Sequence, residues 1–336
     1  MYSGGVTMKL VAALIALFML PGISEAQKLS VGHNHKVCQG FVPENDMKIP
    51  VNRFWSQAKG GITEAQFNEV IAKFIAIYEP DFTSRGAVLK VNSLWTNETV
   101  NASAEQTGNT WEVNMYGGLA RHEAITRDAM ALVICHEGGH HLGGAPKYVG
   151  WFGDDWASNE GQADYFANLK CLRRFFQDEM KGYRVVRNAT NAVYVDACRA
   201  EHKKSIEARM CVRSALAGMQ VAKLFQSLRK ETVSPDFSTP DPKVVTKIFD
   251  SHPATQCRLD TYFAGSLCKV AVADAVSDTD FKTGTCATEA GAKVGARPLC
   301  WFKTPAAAPA EGNGSTTGSM WSGKTSPSEE AHKVRY

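Results

Sequence analysis

Two histidines and a glutamate occur together in the run His-Glu-Gly-Gly-His at residues 136–140. On an α-helix, residues four positions apart lie on the same face, one turn above each other. His136 and His140 arranged in this way can bind one metal ion, and Glu137 projects beside it. Zinc suits neutral imidazole ligands, and a catalytic zinc keeps one coordination position for water. The ion acidifies that water, so Glu137 is a candidate to take its proton.

A second pair of candidate residues, Glu160 and Asp164, follows in the next polar stretch. These carboxylates are also four positions apart and share one face of a helix. Glu160 as a third ligand completes a two-histidine, one-carboxylate zinc site. Asp164, one turn further, can accept the free N–H of a ligand histidine and orient its ring. The alternative is a solvated acidic face, which leaves the histidines one ligand short.

The elements that must carry these residues are two helices. For the first, Thr126 and Asp128 offer capping groups, residues 129–135 are apolar, and Gly143-Gly144 followed by Pro146 predicts its end. Gly138 and Gly139 each cost a helix about 1 kcal/mol relative to alanine, which suggests close approach of another backbone or a substrate. The second helix is expected to begin near residues 154–158 and to run to about residue 180. Its candidate first residues are Asp154, Asp155 and Ser158.

The combined motifs resemble the gluzincin metallopeptidases. The resemblance is greatest to the branch of the HtpX-type and CAAX prenyl endopeptidases, which reads H-E-x-G-H, then E-x-x-A-D, then H-P-x-x-x-x-R. This chain has the three motifs in that order, at residues 136–140, 160–164 and 252–258. The resemblance spans about residues 111–263 and implies His136, His140 and Glu160 as ligands of one zinc ion, Asp164 as the residue that orients a ligand, and Glu137 as the catalytic base.

Further roles follow from the same resemblance. His252 or Arg258 is expected to donate to the oxyanion of the transition state, and Tyr262 is a weaker candidate. Two alternatives stay open: His252 as a fourth zinc ligand in a latent form, and His252 with Arg258 as a buried structural pair. An edge strand ahead of the zinc helix is expected to pair with the substrate backbone; the alternative is a core hairpin. The strand residues concerned are Val113, Asn114, Met115, Tyr116, Gly117 and Gly118.

The remaining patterns predict an α+β protein. Thr63 and Gln66 form a capping box, followed by apolar residues at helical spacing to about Tyr78. Residues 87–94 and 100–116 are typical of strands, and residues 192–230 of two helices. The expected architecture is a gluzincin-like zincin fold, in which a small twisted sheet lies over the active-site helix and a helical lobe lies below.

The chain divides into four predicted regions. Residues 1–26 have the basic start, apolar core and small cleavage residues of an export signal. Residues 27–61 form a leader, in which His33, His35 and Cys38 are either metal-binding or inhibitory or, as we favour, without a chemical role. Residues 62–303 form the metallopeptidase domain. Residues 304–336, rich in Pro, Ala, Gly, Ser and Thr, are predicted to be a disordered tail.

Nine cysteines spread along an exported chain predict disulfides, and an odd number leaves at least one unpaired within the chain. We expect the unpaired one to be Cys135, beside His136. Local pairs are the candidate bridges, although spacing does not decide connectivity: Cys198–Cys211, Cys257–Cys268 and Cys286–Cys300.

Composition limits the partners. A net charge of +3, without a basic stripe interleaved with aromatic residues, does not favour nucleic acid. No stretch after the signal is long and apolar enough to span a bilayer. This differs from the membrane-embedded members of the branch that the chain resembles, and it favours similarity to soluble, exported members.

The predicted function is a periplasmic or secreted zinc endopeptidase acting on polypeptides. The alternatives are a non-catalytic or latent zinc-containing binding or chaperone-like module of the cell envelope, and hydrolysis of a non-protein amide such as cell-wall peptide.

Overall fold

The computed structural model describes residues 1, 35–37, 40–51, 60–148 and 156–304. The predicted signal after Met1, His33 and Cys38 of the leader, and the predicted tail after Thr304 lie outside the described residues. So do Asp154 and Asp155, two of the three residues predicted to begin the second helix.

A four-stranded sheet forms one side of the protein. Its strands are β1 (His35–Val37), β2 (Val88–Leu94), β3 (Ala102–Thr107) and β4 (Thr110–Tyr116), in the spatial order β1-β3-β4-β2. β3 and β4 form an antiparallel hairpin, whereas β2 pairs with β4 in parallel and β1 pairs with β3 antiparallel. The strands predicted over residues 87–94 and 100–116 are confirmed.

The position of β4 corrects the predicted substrate strand. Val113 lies opposite Val91 of β2 on one side and Ala104 of β3 on the other, so both edges of β4 are paired inside the sheet. Gly117 and Gly118, the last two residues of the predicted strand, begin the short buried helix α2 (Gly117–Ala120) instead. The prediction that Val113, Asn114, Met115, Tyr116, Gly117 and Gly118 pair with a substrate is therefore wrong, and the core-hairpin alternative applies.

Helix α1 (Glu64–Ser84) begins with the predicted capping box. The backbone N–H of Gln66 donates to Thr63 Oγ1 at 3.2 Å, and Gln66 Oε1 accepts from the Thr63 N–H at 3.1 Å. The helix continues through Pro80, past the expected end near Tyr78. Its buried face, which includes Phe74 and Tyr78, packs against the helix that carries the histidine pair.

Helix α3 (Arg127–Leu142) lies at the centre of the fold and carries the histidine pair. Thr126 caps its start, as predicted, by accepting from the Ala129 N–H at 3.2 Å. Every residue from Ala129 to Leu142 is buried, because α3 contacts α1, the hairpin β3–β4 and the helices below. The helices below that contact α3 are α4 (Glu160–Phe166), α5 (Leu172–Phe176) and α7 (Ser205–Arg229), and two further helices, α6 (Ala192–Glu201) and α8 (Thr255–Leu267), pack against α7.

The second ligand-bearing helix, α4, is shorter than predicted. Asn159 caps it by accepting from the Gln162 N–H at 2.9 Å, so Ser158 does not begin the helix. After Phe166 the chain makes a π-helical turn (Ala167–Cys171), then α5, then a 3₁₀ turn, and reaches residue 180 in four pieces rather than one. The two helices predicted over residues 192–230 are confirmed as α6 and α7.

Four disulfides join all eight cysteines among the described residues. Cys198–Cys211 is confirmed, but Cys257 pairs with Cys300 and Cys268 with Cys286, so the two other predicted pairs are wrong. The prediction of a free Cys135 is also wrong, because Cys135 on α3 is bonded to Cys171 at the end of the π-helical turn. The ninth cysteine, Cys38, lies outside the described residues. This many disulfides indicates an oxidising environment.

No helix among the described residues has the combination of length and apolar character needed to cross a membrane. The predicted α+β class is confirmed by the mixture of one small sheet with a larger helical part.

Removal of the Cys135–Cys171 bridge by substituting alanine at both positions is expected to lower stability and metal affinity together. The bridge closes a loop of separation 36, for which loop-closure entropy predicts about 4 kcal/mol of stabilisation. It also ties α3 to the segment that continues α4, the two helices that bear the candidate ligands. The matched control is Cys198→Ala with Cys211→Ala, which we expect to cost about 3 kcal/mol without changing metal affinity. Chemical denaturation and metal titration measure both quantities; equal metal affinity in the two variants would contradict the prediction.

Candidate metal centre

Three side chains from α3 and α4 converge on one point. His136 Nε2 lies 3.0 Å from His140 Nε2 and 3.3 Å from Glu160 Oε2, and His140 Nε2 lies 3.8 Å from Glu160 Oε1. All three residues are fully buried. Ligands at about 2.0–2.1 Å from a tetrahedral ion are separated by roughly 3.3 Å, so these spacings fit a single ion. The three residues predicted as ligands are thus brought together.

Hydrogen bonds at the Nδ1 atoms of His136 and His140 determine the protonation of the Nε2 atoms, which face the centre. His136 Nδ1 lies 2.7 Å from Asp164 Oδ1, and His140 Nδ1 lies 2.7 Å from the carbonyl oxygen of Ser158. Both oxygens are acceptors, so each Nδ1 carries the proton and each Nε2 presents a lone pair to the centre. When both rings are neutral, these two lone pairs face each other across 3.0 Å, and a proton or a metal ion bridges them; outer nitrogens held by acceptors are typical of metal-binding histidines.

Charges around the ligands set their proton affinity. Burial disfavours the charged form of His136, but the neighbouring Asp164 carboxylate outweighs it and raises the pKa of His136 to about 9. Burial lowers the pKa of His140 to about 4. For Glu160, burial opposes ionisation, but the nearby histidines dominate and hold its pKa below the usual range. A metal ion therefore meets an ionised Glu160 and a neutral His140, and must displace a proton from His136.

Asp164 is the centre of a buried polar network. Besides His136 Nδ1, it accepts from Arg258 Nε and Nη2, each at 2.7 Å, and from the Tyr262 hydroxyl at 2.7 Å. The bidentate guanidinium outweighs the burial penalty and keeps the pKa of Asp164 below its ordinary value. Asp164 thus lies where the sequence placed it, against a ligand histidine.

Glu137 lies in the same buried cluster without a partner of its own. Both of its carboxylate oxygens are buried and make no hydrogen bond, and the same holds for Glu160 Oε2. Burial raises the pKa of Glu137 to about 8. Buried carboxylate oxygens without partners are costly, so their presence fits a centre that binds a cation and polar ligands.

The two polar residues that define the motif at 252–258, His252 and Arg258, differ in their position relative to the centre. His252 Nε2 lies 3.5 Å from Glu160 Oε2 and donates to the carbonyl oxygen of Gly40 at 2.7 Å. Arg258 is fully buried and directs its guanidinium to Asp164 and to the carbonyl oxygen of Phe41, at 2.9 Å from Nη1. This geometry makes Arg258 a positioning residue for Asp164, in agreement with the structural alternative, and leaves His252 as the nearer to Glu160 of the two candidate donors.

Close packing explains the two glycines of the histidine motif. A Cβ on Gly138 would lie 2.5 Å from the ring of Phe74 on α1, and a Cβ on Gly139 would lie 3.1 Å from the backbone oxygen of Ala163 on α4. The expected close approach of another backbone is therefore found at Gly139. Glycine allows α4 to approach α3 closely enough for Glu160 to reach the histidines.

Sequence patterns missed three contributors to the centre. Tyr148 donates its hydroxyl to Glu160 Oε1 at 2.8 Å, the Ser158 carbonyl oxygen orients His140, and the ring of Phe41 packs edge-on against that of His136 at 4.9 Å. The aromatic stretch around Tyr148 is a sequence pattern that could have indicated a role near the centre. No sequence pattern indicates the role of the Ser158 carbonyl oxygen or of Phe41 in the leader.

A second cluster, Asp241 with Cys257 and Cys300, also has ligand atoms within reach of one another. Its two cysteines are bonded to each other and are not free to bind an ion. Of the acidic, histidine and cysteine clusters in the described part of the chain, the His136–His140–Glu160 group is thus the candidate metal centre.

Comparisons with protein-family models, with curated proteins and with solved structures found no match to this chain.

Proposed function

We propose that this chain is an exported, zinc-dependent endopeptidase with a gluzincin-like fold. The observation that carries the proposal is Glu137, whose carboxylate is buried beside the His136–His140–Glu160 group and makes no hydrogen bond. A metal site that serves only to hold the fold together has no use for such a carboxylate. In hydrolysis, a carboxylate with a raised pKa next to the metal is the expected proton carrier.

Two neutral imidazoles and one carboxylate are a donor set suited to catalytic zinc. When bound, Zn²⁺ would supply Lewis acidity to the reaction. Glu137 then takes a proton from the attacking water molecule and delivers it to the nitrogen of the leaving amine, so that one peptide bond and one water molecule become a carboxylic acid and an amine. Asp164 keeps the His136 ring in the required tautomer and orientation. His252 provides a donor on the same side as Glu160 for substrate oxygen atoms.

The alternative function is a non-catalytic or latent zinc-containing module of the cell envelope, which binds other polypeptides. The contact between His252 and the leader carbonyl at the centre is consistent with latency, but the unpartnered Glu137 has no role in a permanently inactive module. Export is proposed from the disulfide content together with the signal-like residues 1–26.

Purified mature chain is expected to contain one zinc ion and to cleave an unstructured protein substrate such as casein in a chelator-sensitive manner. Dialysis against a chelator should abolish cleavage, and added Zn²⁺ should restore it. A His140→Ala variant serves as the control, because it removes a candidate ligand. It should contain no zinc and should not cleave casein, even without a chelator. Bound zinc without cleavage of any peptide or protein would refute the endopeptidase and favour the binding module; cleavage of cell-wall peptide alone would favour the amide hydrolase.

A further inference from the structure

The leader is paired with the edge of the sheet nearest the candidate metal centre. β1 (His35–Val37) runs antiparallel to β3, with His35 opposite Thr107 and Val37 opposite Glu105. The pairing resumes beyond residues 38 and 39, which lie outside the described residues, where the Phe41 N–H donates to the Ala102 carbonyl oxygen at 2.9 Å. The described parts of the leader thus pair with β3 near both of its ends, and without the leader β3 rather than β4 is the strand edge that an extended peptide can use.

The leader is also bound by the residues that flank the metal centre. The carbonyl oxygen of Gly40 accepts from His252 Nε2 at 2.7 Å, and the carbonyl oxygen of Phe41 accepts from Arg258 Nη1 at 2.9 Å. His252 Nε2 is in turn 3.5 Å from Glu160 Oε2. Two successive main-chain carbonyls of the leader are therefore held within a few ångströms of the candidate ligands, in the manner expected for a bound peptide backbone.

The fit between the leader and β3 is close at the same point. A Cβ on Gly40 would lie 2.9 Å from the carbonyl oxygen of Ala102 and 2.8 Å from Asn101 Nδ2. Immediately afterwards, Phe41 and Val42 are buried in the core and anchor the chain. The segment before Phe41 is therefore tethered at its carboxyl end, directly beside the metal centre.

We propose that the described leader residues 35–37 and 40 occupy the substrate-strand site along β3 as an intramolecular peptide, and that this tethered competitor lowers the activity of the chain until it is displaced. The proposal rests on the proposed peptidase function and adds its regulation. An added strand binds through main-chain hydrogen bonds and needs no particular side chains, so the same edge accepts an extended polypeptide once the leader has left. A tethered competitor reduces the apparent affinity for substrate by the fraction of chains in which the site is open.

A pair of proline substitutions tests this inference in the full mature chain. Lys36→Pro with Val37→Pro removes two consecutive backbone N–H groups, so β1 loses ladder hydrogen bonds whichever of the two N–H groups faces β3. The matched control, Lys36→Ala with Val37→Ala, keeps both N–H groups. We expect the proline variant to bind zinc as the unaltered chain does and to cleave casein with kcat/KM raised roughly tenfold or more, while the alanine variant stays at the original rate.

A labelled peptide of leader residues 33–42 supplies a readout that does not depend on catalysis. It should bind to the proline variant and compete with substrate, whereas the same peptide with proline at positions 36 and 37 should not bind. Equal kcat/KM in all three chains, or no binding of the unaltered peptide to the proline variant, would overturn the inference and leave the peptidase function intact. Zinc binding without hydrolysis in any chain would instead refute the peptidase function, and peptide binding would then still decide whether β3 is a strand-binding site.

Discussion

Replacement of Glu137 by glutamine is expected to abolish peptide hydrolysis while one zinc ion stays bound. Glutamine has nearly the same shape but cannot take a proton, and loss of a general base lowers rates by about 10²- to 10⁴-fold. Metal content should be unchanged, because the three candidate ligands are His136, His140 and Glu160. The measurements are kcat/KM on a peptide substrate and zinc content of the same preparation.

The control for this experiment is Glu123→Gln, which makes the same chemical change at an exposed position and should leave kcat/KM and zinc content as they are. A Glu137→Gln chain that retains its zinc and its kcat/KM would show that Glu137 is not the proton carrier. A chain that loses its zinc would show that the carboxylate supports the metal instead.

Replacement of Asp164 by alanine is expected to cause the largest loss of stability of any single substitution near the centre. Arg258 is fully buried and makes two hydrogen bonds of 2.7 Å to Asp164, so its charge would lose its bidentate counterion and keep only the more distant Glu160 carboxylate, 3.9 Å from Nη2. Removing one partner of a buried ion pair costs about 3–5 kcal/mol. His136 would also lose the acceptor for its Nδ1–H, which should weaken metal binding by about 10- to 100-fold.

The double variant Asp164→Ala with Arg258→Met separates the two effects. It removes both charges, and replacing a buried ion pair by apolar side chains is often neutral for stability. We therefore expect the double variant to recover most of the free energy of unfolding but none of the metal affinity. Denaturant unfolding and zinc titration give the two quantities; a double variant as unstable as the single one would show that the buried charge of Arg258 is not the cause.

The residue pairs of the candidate metal centre could be predicted from the sequence because each pair depends on local periodicity. Residues four positions apart share a helical face whatever the rest of the chain does, so His136 with His140 and Glu160 with Asp164 were each paired before any tertiary contact was considered. The same locality explains the success with the caps of α1 and α3, since Thr63 and Thr126 accept hydrogen bonds from residues only three positions away. Cys198 and Cys211 were paired correctly for a similar reason, as they are close in the chain and lie on helices in contact.

The errors about the sheet edge and the free cysteine concern partners that are distant along the chain. β4 was expected at the sheet edge, but β2 adds in parallel on one side, and nothing within residues 110–116 differs between an edge and a central strand. Cys135 was expected to be free. Its partner Cys171 lies 36 positions later, at the end of a π-helical turn that no sequence periodicity indicates. The bonds of Arg258 to Asp164 and of His252 to Gly40 likewise join residues that are 94 and 212 positions apart in the chain.

The sequence by itself thus determined helices α1, α3, α6 and α7, the caps of α1 and α3, the candidate ligand pairs and the α+β class, because each depends mainly on spacing along a short stretch of chain. Only the tertiary structure decided that β3 pairs with the leader strand β1 on one side and β4 on the other, and that His252 and Arg258 bind the leader's carbonyls. Strand order and these contacts depend on which surfaces meet after the chain has folded. Main-chain carbonyls are the same in every residue, so no sequence pattern indicates which of them will accept a hydrogen bond.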